Sequence, residues 1–279
     1  MKKLFILILG FFFAQSFCQG LDITFGKRPY IKADLLMENG QTEHGYLKDF
    51  LIPKFVESSI VNDFKRVESV YHFDTKIFKF KSNKNEDVLE IPLTEIKSII
   101  IIDDDGSDRT RFDKMKLKTI NSKYQVEDLD LTVILPLQSE GKINLYGFSV
   151  SVFMGRSYYM SFFLPYLKKP DDEYAYIPLD YDNIGLFNSG KTKGKFKKAF
   201  EAVTSDCIQY QTHLDAAVDQ LMDKKLMKEI NRERDAKKKE ARKSIKDRDM
   251  EIEILQKIDN DYNIKPYVTL IEDYGNTCP

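Results

Sequence analysis

Residues Gly185 to Thr192, "GLFNSGKT", match the phosphate-loop pattern G-x-x-x-x-G-K-[ST] letter for letter. In that chemistry backbone N–H groups curl around phosphate at a helix N-terminus, the lysine reaches the outer phosphates and the hydroxyl holds magnesium. Gly185, Gly190, Lys191 and Thr192 would carry those roles here. The flanking sequence argues against them. "PLDYDNIG" puts Pro178, Asp180 and Asp182 where an apolar central strand should run straight into the first glycine, and carboxylates there repel a triphosphate. Gly194 falls in the turn that would clamp the phosphates, and a glycine inside a helix costs about 1 kcal/mol. "SIIIIDDD" lies upstream among hairpins and "VTLIED" is interrupted by Thr269, so neither supplies the magnesium aspartate of a parallel sheet. The stretch is expected to be a polar loop leading into a helix that starts near Lys195.

Other residues of catalytic type are scattered. Asp103, Asp104, Asp105 and Asp108 offer hard oxygen ligands suited to calcium. Gly106, however, would place Ile101 at the first position of an EF-hand loop, so the cluster is expected to be an acidic turn between strands. His44, His72 and His213 are far apart and lack the short spacing of a zinc site. There is no nucleophile elbow, no H-E-x-x-H and no Cys/His protease signature. No catalytic residue and no cofactor is assigned, and the balance leans away from an enzyme. From Arg232 to Arg248 nine Lys/Arg face four acids, but no aromatic is present to stack on bases and large apolar residues are scarce. That tract is expected to be a solvated helix or a mobile linker, with no nucleic acid as partner.

The chain opens with "MKKLFILILGFFFAQSFCQG": two lysines, an apolar run from Leu4 to Ala14, then small residues at Ser16 and Cys18. This is the layout of a secretory signal peptide, and the run is shorter than the roughly 20 residues a bilayer span needs. Export to the periplasm or beyond the cell follows as an expectation. A lipoprotein acylated at Cys18 fits less well, because Phe17 occupies a position that favours a small residue. With 42% hydrophobic and 31% charged residues the chain is of globular composition, and its formal net charge of −1 gives no global pull toward polyanions. If cleavage follows Cys18, Cys207 and Cys278 remain. An even pair in an oxidising compartment favours a disulfide over two unpaired buried thiols, worth at most about 4 kcal/mol for a loop of about 70 residues.

The elements that would position these residues are strands first and helices after. Asn39-Gly40 between two extended runs signals a hairpin, "KIFKFKSNKNEDVLEIPL" repeats that logic, and "EIKSIIII" is a buried strand. "FSVSVFMGRSYYMSFFLPYL" is apolar enough to suggest a membrane helix. Arg156 near the bilayer centre would cost about 2.5–3.5 kcal/mol, and the alternation of Phe148, Val150 and Val152 with serines predicts a hairpin instead. Its aromatic residues Phe148, Phe153, Tyr158, Phe162 and Phe163 are expected to be core, the alternative being the lining of an apolar ligand cavity. Beyond Pro178, Phe196, Phe200, Val203, Cys207, Tyr210, Leu214, Ala217 and Leu221 form one continuous helical stripe. The predicted architecture is α+β: a signal peptide (1–18), an N-terminal antiparallel β-rich domain, sandwich- or barrel-like (19–180), and a C-terminal helical region (181–279).

Three pieces together, "MENGQTEHGYLKDF", "EIPLTEIKSIII" and "FKKAFEAVTSDC … EDYGNTC", resemble uncharacterised exported β-rich proteins of Bacteroidota. Gln41 stands where that group usually has Asp after Asn-Gly, and the basic tract looks like an addition. The resemblance implies an envelope compartment, a β-rich fold and Cys207 with Cys278 as disulfide partners; it implies no activity. The functional expectation is an exported envelope protein acting as a non-enzymatic binding module for a protein or envelope partner. The alternatives are a carrier of a small apolar ligand and, against the argument above, a nucleotide-binding protein.

Overall fold

The computed structural model describes residues 30–48, 50, 57–58, 75–102, 106, 109–153, 159–178, 189–221 and 223–278. Every described strand precedes every described α-helix, an α+β arrangement. The strands are β1 (Tyr30–Met37), β2 (Thr42–Lys48), β3 (Glu57–Ser58), β4 (Ile77–Lys81), β5 (Leu89–Pro92), β6 (Ile96–Ile102), β7 (Arg109–Ile120), β8 (Val126–Ser139), β9 (Asn144–Phe153), β10 (Tyr159–Lys168) and β11 (Tyr174–Ile177). The helices are α1 (Ser189–Val203), α2 (Ile208–Leu221), α3 (Lys224–Ser244) and α4 (Arg248–Thr277). The signal-peptide reading, His72, Tyr158 and the acidic cluster Asp103, Asp104, Asp105 and Asp108 lie outside the described residues.

Hairpin logic builds the sheet. In β1, Ile31, Ala33 and Leu35 are buried while Lys32 is exposed, the period of two expected of a strand with one face on a core. The Asn39-Gly40 turn then reverses the chain, with Asn39 Oδ1 accepting from the Gln41 N–H at 2.9 Å. Gln41 in turn accepts from Asn39 Nδ2 at 2.9 Å, so it completes this turn in place of an aspartate. Hydrogen-bonded neighbours run β5-β4-β2-β1-β6-β7-β8-β9-β10-β11. β11 then lies parallel to β7, pairing Tyr174–Ile177 with Lys116–Thr119, and so closes β7 to β11 into a five-stranded ring.

Two hydrophobic clusters of the described residues pack within this framework. Ile31, Leu35, Leu47, Phe50, Phe80, Ile99 and Phe112 pack under the β1–β6 half. The second core joins Ile120, Leu145, Phe163 and Leu167 of the ring to Phe196, Phe200, Val203, Tyr210, Leu214, Val218 and Leu270 of the helices. Each such side chain contributes about 1.5–3 kcal/mol by leaving water.

The helical stripe keeps its phase but not its continuity. A single helix is expected across 196–221; the chain instead breaks at Thr204–Cys207 between α1 and α2. Thr204 turns its hydroxyl onto the Phe200 carbonyl, and Ser205 and Asp206 follow, residue types that compete locally for backbone bonds. The basic tract, expected as solvated helix or linker, breaks at Ile245–Asp247 and is helix up to Ser244, where it forms the C-terminal part of α3. Asp223 caps it by accepting from the N–H groups of Lys225 and Leu226 at 2.9 and 3.0 Å. α4 runs antiparallel to α3, joined by Lys238–Asp259 (2.6 Å) and the longer Arg234–Asp259 and Arg242–Glu251 pairs (both 3.7 Å). Among the described residues no helix is long and apolar enough to cross a membrane.

Candidate functional site

Four segments converge on an open groove of about 680 Å³. Its lining includes Lys142 from the β8–β9 turn, Lys169 to Asp172 from the β10–β11 turn, Asp206 and Cys207 from the α1–α2 break, and Tyr274 and Cys278 at the end of α4. Local chemistry fixes each wall. Asp172 donates its N–H to the Lys169 carbonyl (3.2 Å), while its Oδ1 accepts from the Tyr174 N–H (3.1 Å), a turn closed at both ends. The Lys142 ammonium donates to the carbonyls of Gly275 and Cys278, so a cation sits on the C-terminal end of the α4 dipole.

The far walls are bonded covalently. Cys207 and Cys278 form a disulfide across 71 residues of sequence, with Cα atoms 6.2 Å apart. Beside it Lys169 Nζ approaches Asp206 Oδ1 to 2.6 Å, and the Tyr274 hydroxyl donates to the same oxygen at 3.0 Å. The lysine contact, ahead of the tyrosine, holds the Asp206 carboxyl below its ordinary value. Both partners are partly exposed, so the pair contributes no more than about 1 kcal/mol.

Beneath the β10–β11 turn lies a buried polar cluster on the ring face opposite the helices. Asn144 and Lys168 are directly opposite one another on β9 and β10, as are Tyr146 and Tyr166. The Tyr146 hydroxyl donates to Asp113 Oδ2 at 2.7 Å, and Arg111 Nε donates to Asp113 Oδ1 at 2.8 Å. Lys168 donates to the carbonyls of Lys169 and Pro170 at 3.2 and 3.1 Å. Its ammonium thus holds the groove's turn from below. Burial pushes the Lys168 pKa down, and the nearby Asp113 charge partly offsets that.

These buried groups set an alkaline limit on stability. Burial, then Asp113, raises the Tyr146 hydroxyl above its ordinary 10.0; burial, then Asp273, does so for Tyr210. Burial, then Asp206, raises Tyr274 to about 12. A raised phenol contributes stability that is complete below pH 10 and is lost as pH climbs through the folded value. Lys168, lowered from 10.5, works oppositely, its penalty easing as pH rises toward that value. Burial also raises the Tyr176 and Tyr267 phenols, so the raised groups outnumber Lys168 and give a net fall. Urea midpoints are therefore expected to drop between about pH 10 and about pH 12, and Tyr274→Phe to flatten that drop. A flat profile would contradict this assignment.

Of the residues singled out in the sequence, the structure brings together Cys207 and Cys278. Gly190, Lys191 and Thr192 lie in the opening of α1, which begins at Ser189 and not near Lys195; Gly185 lies outside the described residues. Lys193, paired with Asp219 of α2, anchors this earlier start. The preceding strand, β11, is four residues long, lies parallel to β7 and antiparallel to β10, and ends at Ile177, well ahead of Ser189. A phosphate cradle takes its loop directly off a central parallel strand. Gly194 has a packing role: a Cβ there would lie 2.4 Å from Tyr124 Cε1, so the glycine lets the β7–β8 turn rest on α1.

His44 binds Asp34 Oδ1 through Nδ1 at 2.7 Å, and Arg109 donates to the other carboxylate oxygen at 3.0 Å, beside a second, smaller groove of about 440 Å³. His213 Nε2 meets Asp273 at 3.1 Å and packs edge-on against Tyr210. Among the aromatic set, Phe148 packs on Tyr166 and Phe163 on Tyr267, at centroid distances of 6.5 and 5.6 Å. The side chains of Phe153 and Phe162 are not described. No group of three or more His, Cys, Asp or Glu suited to a metal ion occurs among the described residues.

The groove residues Lys142, Lys169 and Asp171 carried no sequence signal of their own. Asp206, Gln209, Tyr274 and Thr277, each within four positions of a cysteine, could have been found from the pairing. Comparison of the chain with protein-family models, curated proteins and solved structures gives no match.

Proposed function

We propose that this chain is an exported cell-envelope protein that works as a non-enzymatic binding module, with the groove beside the disulfide receiving a polar peptide segment of its partner. One observation carries the reading: a polar concave surface whose walls are held in fixed relation by the Cys207–Cys278 bridge and the Lys169–Asp206 pair. A surface ordered before binding spends less ordering entropy on association. Lys142, Lys169, Asp171 and Asp206 set charges of both signs along the groove, Lys169 and Asp206 already paired, which suits a chain presenting amides and mixed charges. A disulfide is compatible with an oxidising compartment, and the leader-like N-terminus supplies the route there.

The test is site-specific photocrosslinking in the native host's envelope. A photoreactive residue in place of Gln209, which lines the groove, should yield one discrete adduct, and the same residue in place of Asn83, in the β4–β5 turn, should not. Adding Asp171→Lys should cut the Gln209 adduct by about tenfold, the loss of one good charge contact. Equal adducts at both positions, or none at Gln209, would end the proposal.

A further inference from the structure

We propose that the outward face of α3 is a docking surface for an anionic lipid bilayer. Lys225, Lys228, Arg232, Lys239 and Lys243 are all exposed. Their offsets of three, four, seven and four residues put them on one line along the helix, about 27 Å from end to end. None of the five is in an ion pair among the described residues. The cations that do pair, Arg234, Lys238 and Arg242, are those turned toward α4, so the fold neutralises the inner basic residues and leaves the outer row free.

The distribution of acids decides which polyanion fits. Glu229, Glu233 and Glu240 run along one flank of the row, with Glu233 held by Lys265 at 3.6 Å, while Asp235, in the seven-residue gap of the row itself, is held by Arg234 at 3.2 Å. A helix seated in a duplex major groove, about 12 Å wide, meets phosphates on both sides, so this flank would face one strand with carboxylates. A flat surface touches only the crest, where four lysines and Arg232 stand against the single, already paired Asp235. No aromatic lies on that face to stack on unpaired bases, and no large apolar side chain lies there to enter acyl chains. The contact is therefore peripheral and electrostatic, with headgroup phosphates as its counter-charges, and salt weakens it. This inference is independent of the groove reading.

The experiment is co-sedimentation of the full chain with vesicles of phosphatidylcholine alone, or mixed with phosphatidylglycerol. Binding is expected only to the mixed vesicles and at low salt. Replacing Lys225, Lys228, Arg232, Lys239 and Lys243 by Gln, itself a good helix former, should weaken it by at least about tenfold. Replacing Lys32, Lys76, Lys79, Lys97 and Lys123 by Gln changes net charge equally and should leave binding within about twofold if location governs it. The proposal is overturned if the mixed vesicles bring down no protein at low salt. It is equally overturned if both variants lose binding alike, or if duplex DNA competes the protein off the vesicles.

Discussion

A chain with serine at both Cys207 and Cys278 is expected to lose about 4 kcal/mol of stability, with its thermal midpoint falling by about 10 °C. The bridge spans 71 residues of sequence, so in the unfolded chain it removes the closure entropy of a long loop. The folded ends are held by other means. Lys142 caps the end of α4, the Tyr210 hydroxyl donates to the Leu270 carbonyl at 3.0 Å, and Tyr274 reaches Asp206. The serine variant should therefore fold with its groove in place, and the loss should appear in the global urea midpoint. Adding reductant to the wild type should reproduce the shift and leave the double variant unchanged. A loss below about 1 kcal/mol would mean that the bridge barely constrains the unfolded chain.

How much of this was legible in the sequence depends on the range of the signal. Asn39-Gly40, the alternation in "SVSV" and the spacing of Phe196, Phe200 and Val203 are local patterns, and the hairpins and the buried helix face follow from them. The break at Thr204–Cys207 left the three-and-four spacing intact, so periodicity could not show it. Gly194 looked like a defect in a helix because Tyr124, its reason, is distant in sequence and reaches it only through the β7–β8 turn. Parallel closure of β11 on β7 likewise depends on pairing across more than fifty residues, and no local propensity encodes it. The groove follows the same rule. Its disulfide was countable, whereas Lys142, Lys169 and Gln209 become neighbours only once three turns and a helix end have met.

Gly147→Ala is expected to cost more than about 4 kcal/mol, placing it among the rare large losses, and to leave little folded protein at physiological temperature. Gly147 sits within β9 at φ +133°, where a side chain is strained in any surroundings. The surroundings are also full: an added Cβ would lie 1.9 Å from the Leu164 carbonyl oxygen and 2.9 Å from Phe163 Cζ. The first contact is with backbone of the paired strand, so relief requires β10 to move away. The sequence of that strand explains the geometry. Pro165 lies directly opposite Gly147 and has no N–H to offer it. The Gly147 carbonyl instead accepts from Gln138 Nε2 at 2.8 Å, a residue skipped where the β8–β9 register shifts between Leu137 and Ser139. Asn260 of α4 completes the arrangement, donating to Gln138 Oε1 at 3.4 Å and accepting from the Ser149 hydroxyl at 2.7 Å. Gln138→Ala should therefore cost only about 1–3 kcal/mol, the penalty for one unsatisfied buried carbonyl. Equilibrium urea unfolding of the two variants separates the terms. If Gly147→Ala costs no more than Gln138→Ala, the close approach of β9 and β10 is not what the glycine provides, and the polar network alone sets the local stability.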